Sequence, residues 1–131
     1  LINQLYRLQL IRSAEALRPL GVTVPQAQCL AILNERPAVS NVEMAAELFV
    51  TPQAVSIVQR SLEDAGLVER RRDTADGRVL MTSLTDKGRK LFKRYDAAVR
   101  VSDDKFLEVL PAADRKRIKK LLAALIESQP G

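Results

Sequence analysis

Between Thr51 and Gly66, in the stretch TPQAVSIVQRSLEDAG, the side chains of Gln53, Ser56, Ile57, Gln59 and Arg60 have a chemistry of recognition rather than of bond making. Gln, Ser and Arg carry donors and acceptors that match base edges in a DNA major groove, and an exposed aliphatic such as Ile57 can meet a thymine methyl. A second cluster, Arg70, Arg71, Arg72 and Arg78, supplies cations of the kind a phosphate backbone attracts, with Glu69, Asp73 and Asp76 interspersed. Taken alone, each group also reads as an ordinary solvated face. Bond-making groups are scarce. The sequence has no His and one Cys, which removes Cys–His and Ser–His pairs and the commonest transition-metal ligand. No paired-carboxylate, phosphate-loop or metal-ligand motif replaces them, so the expectation is a protein that is not an enzyme, with no catalytic residue, no metal and no cofactor.

The elements that must position these residues follow from caps and periodicity. Thr51 is an N-cap whose hydroxyl can accept an orphan amide proton, Pro52 suits the first helical position, and Gly66 supplies the stop. Val55, Val58 and Leu62 recur at helical spacing and predict a buried stripe, which leaves Gln53, Ala54, Ser56, Ile57, Gln59 and Arg60 for other faces. Upstream, Ser40 and Glu43 have capping-box spacing and open a short helix through Val42, Ala45 and Leu48. Only Phe49 and Val50 separate it from Thr51, a spacing that suits a helix-turn-helix. Downstream the period turns extended: LVERR and RVLMTSL predict a two-stranded hairpin near Leu67–Arg71 and Val79–Ser83, joined by a tight turn at Asp76–Gly77 or by a longer loop.

The flanks read as helices. Leu1 to about Leu20 is apolar over more than one face, a surplus that points to cover from a partner chain. Thr23 and Gln26 box the start of a helix over Val24–Asn34 with Ala27, Leu30, Ala31 and Leu33 inward, and Cys29 within it reads as a small buried hydrophobe before it reads as a redox thiol. Thr85 caps a long helix to about Leu110, and Pro111–Gln129 repeats Ile118, Leu121, Leu122, Leu125 and Ile126 on one face. A composition of 47% hydrophobic but 4% aromatic residues favours packed helices over a sandwich. The net charge of +5 is compatible with an acidic partner such as nucleic acid. A single cysteine and the lack of an apolar membrane-crossing run suit a cytoplasmic protein with no membrane partner. Leu1 in place of Met leads to the expectation that a few native residues precede it.

The order of elements, and the residues in two segments, resemble the MarR family of bacterial transcriptional regulators. The segment LVERRRDTADGRVLMTSLTDKG is similar to that family's wing and following helix, through its Leu-Val entry, arginine run, Asp76-x-Arg78 element, Leu84-Thr85 and Gly88. The segment EMAAELFVTPQAVSIVQRSLEDAGLV is similar to its bracing and recognition helices. The resemblance covers nearly the whole chain. It implies a mainly α fold with a small β-hairpin wing, a winged helix-turn-helix over about residues 23–90 with dimerisation helices over about 1–20 and 91–129. It further implies a homodimer on double-stranded DNA, more repressor than activator, released by a small aromatic or phenolic effector whose binding residues are unknown. Thr51, Pro52, Gln53, Ala54, Ser56, Ile57, Gln59 and Arg60 would then lie in the major groove. Arg70, Arg72, Asp76 and Arg78 would form the wing site, with Arg78 at its tip and Asp76 steadying the tip through a neighbour such as Arg72. The alternative is a winged-helix module that binds protein without reading DNA sequence.

Overall fold

A computed structural model of the chain describes residues 1–130. Helix α1 (Ile2–Leu17) tightens into a 3-10 turn, Arg18–Leu20, and Gly21 ends it in the left-handed conformation at φ 67. Helix α2 (Val24–Glu35) opens on a full capping box: the Gln26 N–H donates to Thr23 Oγ1 at 3.3 Å, and the Thr23 N–H donates to Gln26 Oε1 at 2.9 Å. Ser40 and Glu43 repeat the device at the start of α3 (Asn41–Leu48). There the Ser40 backbone N–H, followed by its hydroxyl, holds the Glu43 carboxyl below its ordinary pKa. The remaining elements are α4 (Pro52–Asp64), α5 (Asp86–Leu107) and α6 (Ala112–Glu127).

The sheet has three strands where the sequence predicts two. Strand β1 (Val39–Ser40) pairs antiparallel with β3 (Leu80–Leu84), Val39 opposite Thr82, and β3 pairs with β2 (Val68–Arg72) to give the order β1-β3-β2. Two residues are too few to show alternation, so β1 has no sequence signature of its own. Both hairpin strands begin one residue later than the pattern predicts, for a hydrogen-bonding reason. The Leu67 N–H donates to Leu62 O at 2.9 Å and the Gly66 N–H to Glu63 O at 2.9 Å, a Schellman ending that commits Leu67 to the helix. The Val79 N–H likewise donates to Asp76 O at 3.0 Å within the loop, which is the longer of the two predicted connections.

Two compact units divide the chain, residues 1–99 and the residues from 100 onward. In the first, Leu17, Leu30, Val39, Met44, Val55 and Leu62 are almost wholly buried. Cys29 and Ile32 take the inward places on α2, while Ala31 is only half-buried. On α3 the inward residues are Met44, Ala45 and Leu48, and Val42 is 68% exposed. At 100° per residue Val42 lies roughly 110° round the helix from the centre of that stripe. In the second unit Lys119 Nζ pairs with Asp104 Oδ1 at 2.8 Å, and α6 leaves Leu121, Leu122, Leu125 and Ile126 exposed. No helix among the described residues is long and apolar enough to cross a membrane.

Candidate nucleic-acid interface

Helix α4 is held from three sides. Thr51 is extended (φ −79, ψ 152) and its hydroxyl accepts the Ala54 N–H at 3.2 Å, with Pro52 at the first position. Asn41 Nδ2 donates to Ser56 Oγ at 2.8 Å, tying α3 to the middle of α4, and Gln26 Nε2 donates to Ser61 Oγ at 3.1 Å, tying α2 to its last turns. At the far end Lys87 Nζ donates to Ala65 O at 2.7 Å, placing a cation where the helix carbonyls are unsatisfied.

The buried face of α4 is Val55, Gln59 and Leu62, with Val58 half-buried beside them. Gln59 is therefore not on the outer face where the sequence reading put it. It is 0% exposed, and its Nε2 donates to Met44 Sδ at 2.9 Å. Val55, Gln59 and Leu62 are spaced i, i+4 and i+7, so position carried the signal that the polar side chain masked. The outer face is the complementary i, i+4, i+7 row of Gln53, Ile57 and Arg60, all exposed, with Ile57 at 74%. Thr51, Pro52 and Ala54 are exposed at its amino-terminal end, and Ser56 is half-buried at its edge.

The wing arginines divide into holders and presenters. Arg70 is a holder: its Nε and Nη2 meet Glu63 Oε2 at 3.1 and 3.0 Å and its side chain is only 18% exposed, so it fastens β2 to the end of α4. Arg72 Nη1 donates to Gly77 O at 2.8 Å across the loop. Asp76 steadies the tip through Arg78 and not through Arg72, its Oδ1 accepting the Arg78 N–H at 3.1 Å and Nε at 3.3 Å. The Arg78 side chain is 92% exposed.

The junction of α4, β2 and α5 sets the angle between helix and wing. Thr85 Oγ1 donates to Gly66 O at 2.6 Å and accepts the Gly88 N–H at 3.1 Å, while the Thr85 N–H donates to Leu67 O at 3.1 Å. Beside it opens a cleft of about 340 Å³ lined by Leu20, Val22, Leu67 and Leu91 and by Lys87, Lys90 and Arg94.

Burial leaves Cys29 1% exposed and pushes its thiol pKa up to about 11, so it is protonated at neutral pH and a poor nucleophile. From pH 9 to 11 the unfolded chain releases this proton while the folded chain keeps it, so stability falls as pH rises. We expect the wild type to lose about 2 kcal/mol relative to Cys29→Ala across that range, read from urea melts of both proteins. Parallel pH profiles would contradict a buried, protonated thiol.

Residues 22–80 match the family model described as the MarR family. Over 124 residues the chain is 42% identical to the HTH-type transcriptional repressor Rv2887 of Mycobacterium tuberculosis, spanning 92% of this chain and 89% of that protein. The crystal structure of Rv2887 in complex with DNA superimposes with a TM-score of 0.80 at 38% identity, covering 95% of this chain and 96% of that one. Its complex with salicylic acid gives a TM-score of 0.81 at 39% identity, with 95% and 92% covered.

Proposed function

The chain belongs to the MarR family, and on that premise we propose that it is a cytoplasmic transcriptional repressor that binds a pseudo-palindromic DNA operator as a homodimer and releases it on binding a small phenolic acid. The observation that carries this reading is the exposed row Gln53, Ile57 and Arg60 on a helix braced by α2, α3 and Lys87, beside a wing that presents Arg78. A row of amide, aliphatic and guanidinium groups on a rigid helix can read base edges, while the Arg78 cation adds attraction to the backbone or to a narrow groove. No catalytic step is assigned to it.

Dimerisation is supported by apolar surface that a monomer would leave in water: Leu1, Ile2, Leu5, Leu8 and Ile11 on or beside α1, and the Leu121–Ile126 set on α6. A two-fold dimer reads two half-sites about one helical turn, roughly 10 bp, apart. Selection of bound sites from random duplex DNA tests this. The expected product is a bipartite inverted repeat; enrichment of a single half-site would contradict the dimer, and no enrichment would contradict sequence reading altogether.

Arg78→Ala is expected to weaken operator binding. A phosphate contact would also lower the slope of log affinity against log salt by about one unit, whereas a reading of groove shape would change base preference instead. Unchanged affinity and preference in a fluorescence titration across salt concentrations would remove the wing from the interface.

The cleft between Leu67 and α5 suits an aromatic carboxylate, with an apolar wall for the ring and Lys90 and Arg94 for the anion. A ligand there would press on the Ala65–Leu67 junction that joins α4 to the wing. Replacing both Lys90 and Arg94 by Ala should raise the salicylate concentration needed to release DNA by about tenfold or more, with DNA affinity in its absence retained. An unchanged salicylate response would place the effector elsewhere.

A further inference from the structure

Phe49 is at odds with its own surroundings. It closes α3 in the left-handed conformation at φ 56, the only positive-φ residue other than glycine among the described residues, and it is 95% exposed. The helix end is a Schellman motif, with the Val50 N–H donating to Ala45 O at 3.1 Å and the Phe49 N–H to Ala46 O at 3.4 Å. Helix α4 ends the same way with Gly66 in the left-handed place, at φ 72. Glycine suits such a position because it has no Cβ to crowd the carbonyl, so Phe at the equivalent place in α3 is a local cost. Its ring recovers nothing from the core, whereas Phe92 and Tyr95 pack against it with their centroids 5.6 Å apart. A side chain that opposes the backbone and forgoes burial serves neither the helix end nor the interior.

Its placement says what it serves. Phe49 lies two residues before the Thr51 cap, at the end of α4 that presents Pro52 and Gln53. Because the helix end uses the Phe49 N–H, the only side-chain group this residue offers to a partner is its ring. Resting on the reading that α4 enters the major groove, we infer that Phe49 is a specificity residue whose ring packs on a thymine C5-methyl at the edge of the half-site, next to the base pair met by Gln53. Thymine is the base that offers a methyl in the major groove, and a ring without donors or acceptors discriminates by that methyl alone.

The test uses the full chain and the selected operator, with each thymine replaced in turn by deoxyuridine, which lacks the methyl. Binding is measured by fluorescence anisotropy for the wild type, Phe49→Ala and Phe49→Gly. One thymine per half-site is expected at which deoxyuridine weakens wild-type binding roughly fourfold, the effect of one buried methyl, and at which it leaves both variants unaffected. Both variants should bind the unmodified operator about tenfold more weakly, and Phe49→Gly should also melt at a higher temperature than the wild type because the left-handed strain is gone. The inference is overturned if both variants bind like the wild type, if the deoxyuridine loss persists in them, or if affinity falls only together with the dimer mass in light scattering. A wild type that selects no site at all would overturn the DNA reading beneath it, an outcome distinct from a selected site that ignores Phe49.

Discussion

Gly88→Ala should destabilise the chain by about 3 kcal/mol, a large fraction of the roughly 5–15 kcal/mol that holds a typical domain folded. Helix propensity predicts the opposite sign, since Ala replaces Gly inside α5 at a gain of about 1 kcal/mol. The geometry decides. A Cβ on Gly88 would collide with the Leu67 carbonyl oxygen and lie 3.0 Å from its carbon and 3.1 Å from a Leu84 methyl. The closest of these are backbone atoms, and Leu67 O already accepts the Thr85 N–H while Leu67 N is bound to Leu62 O. Relief therefore requires α5 to move away from the junction of α4 and β2. Lys93→Ala, at an exposed position on the same helix, should change stability by no more than about 0.5 kcal/mol. Urea melts of the three proteins check this, and a Gly88→Ala variant as stable as the wild type would contradict the packing argument. Because the same junction sets the angle between α4 and the wing, the variant should also lose DNA affinity at temperatures where it remains folded.

The second large effect is on base preference. Gln53→Ala and Arg60→Ala should each cost about 1–3 kcal/mol of operator binding, concentrated at one or two base positions. The two residues are seven apart on one face of α4, roughly 10 Å along the axis. With the helix lying along the groove, that is about three base-pair steps at 3.4 Å each, so the positions that lose preference should differ between the variants. Residues so far apart with no shared partner should also show nearly additive losses in the double variant. Gln59→Leu is the internal control. As a buried side chain bonded to Met44, it should alter stability and leave the pattern of base preference in place.

Where the sequence was legible, a local signal was decisive. The boxes at Thr23–Gln26 and Ser40–Glu43 and the cap at Thr51 each name a helix start through short-range hydrogen bonds, and each is formed. Gly66 announced the end of α4 for the same reason. Features that depend on distant partners were not legible. Strand β1 exists because β3 offers Val39 and Ser40 a ladder, and nothing within those two residues encodes it. Gln59 is buried because Met44 lies opposite it, so the chemistry of its side chain pointed outward while its position pointed inward. Arg70, on β2, is largely covered by its pair with Glu63, seven residues upstream across the turn that joins α4 to β2, while Arg78, in the loop, stays exposed beside Asp76. The outer row of α4 and the wing tip were thus named as a group from sequence, and the fold separates those that hold from those that present.

The most direct measurement is a competition between the selected operator and a scrambled duplex of equal length and composition, read by anisotropy at one fixed salt concentration. A sequence reader should prefer the operator by about a thousandfold or more, and Gln53→Ala and Arg60→Ala should each erase part of that preference while keeping the affinity for the scrambled duplex within a few fold. Equal binding of the wild type to both duplexes, or an equal loss on both for each variant, would contradict the claim that the outer face of α4 reads DNA sequence.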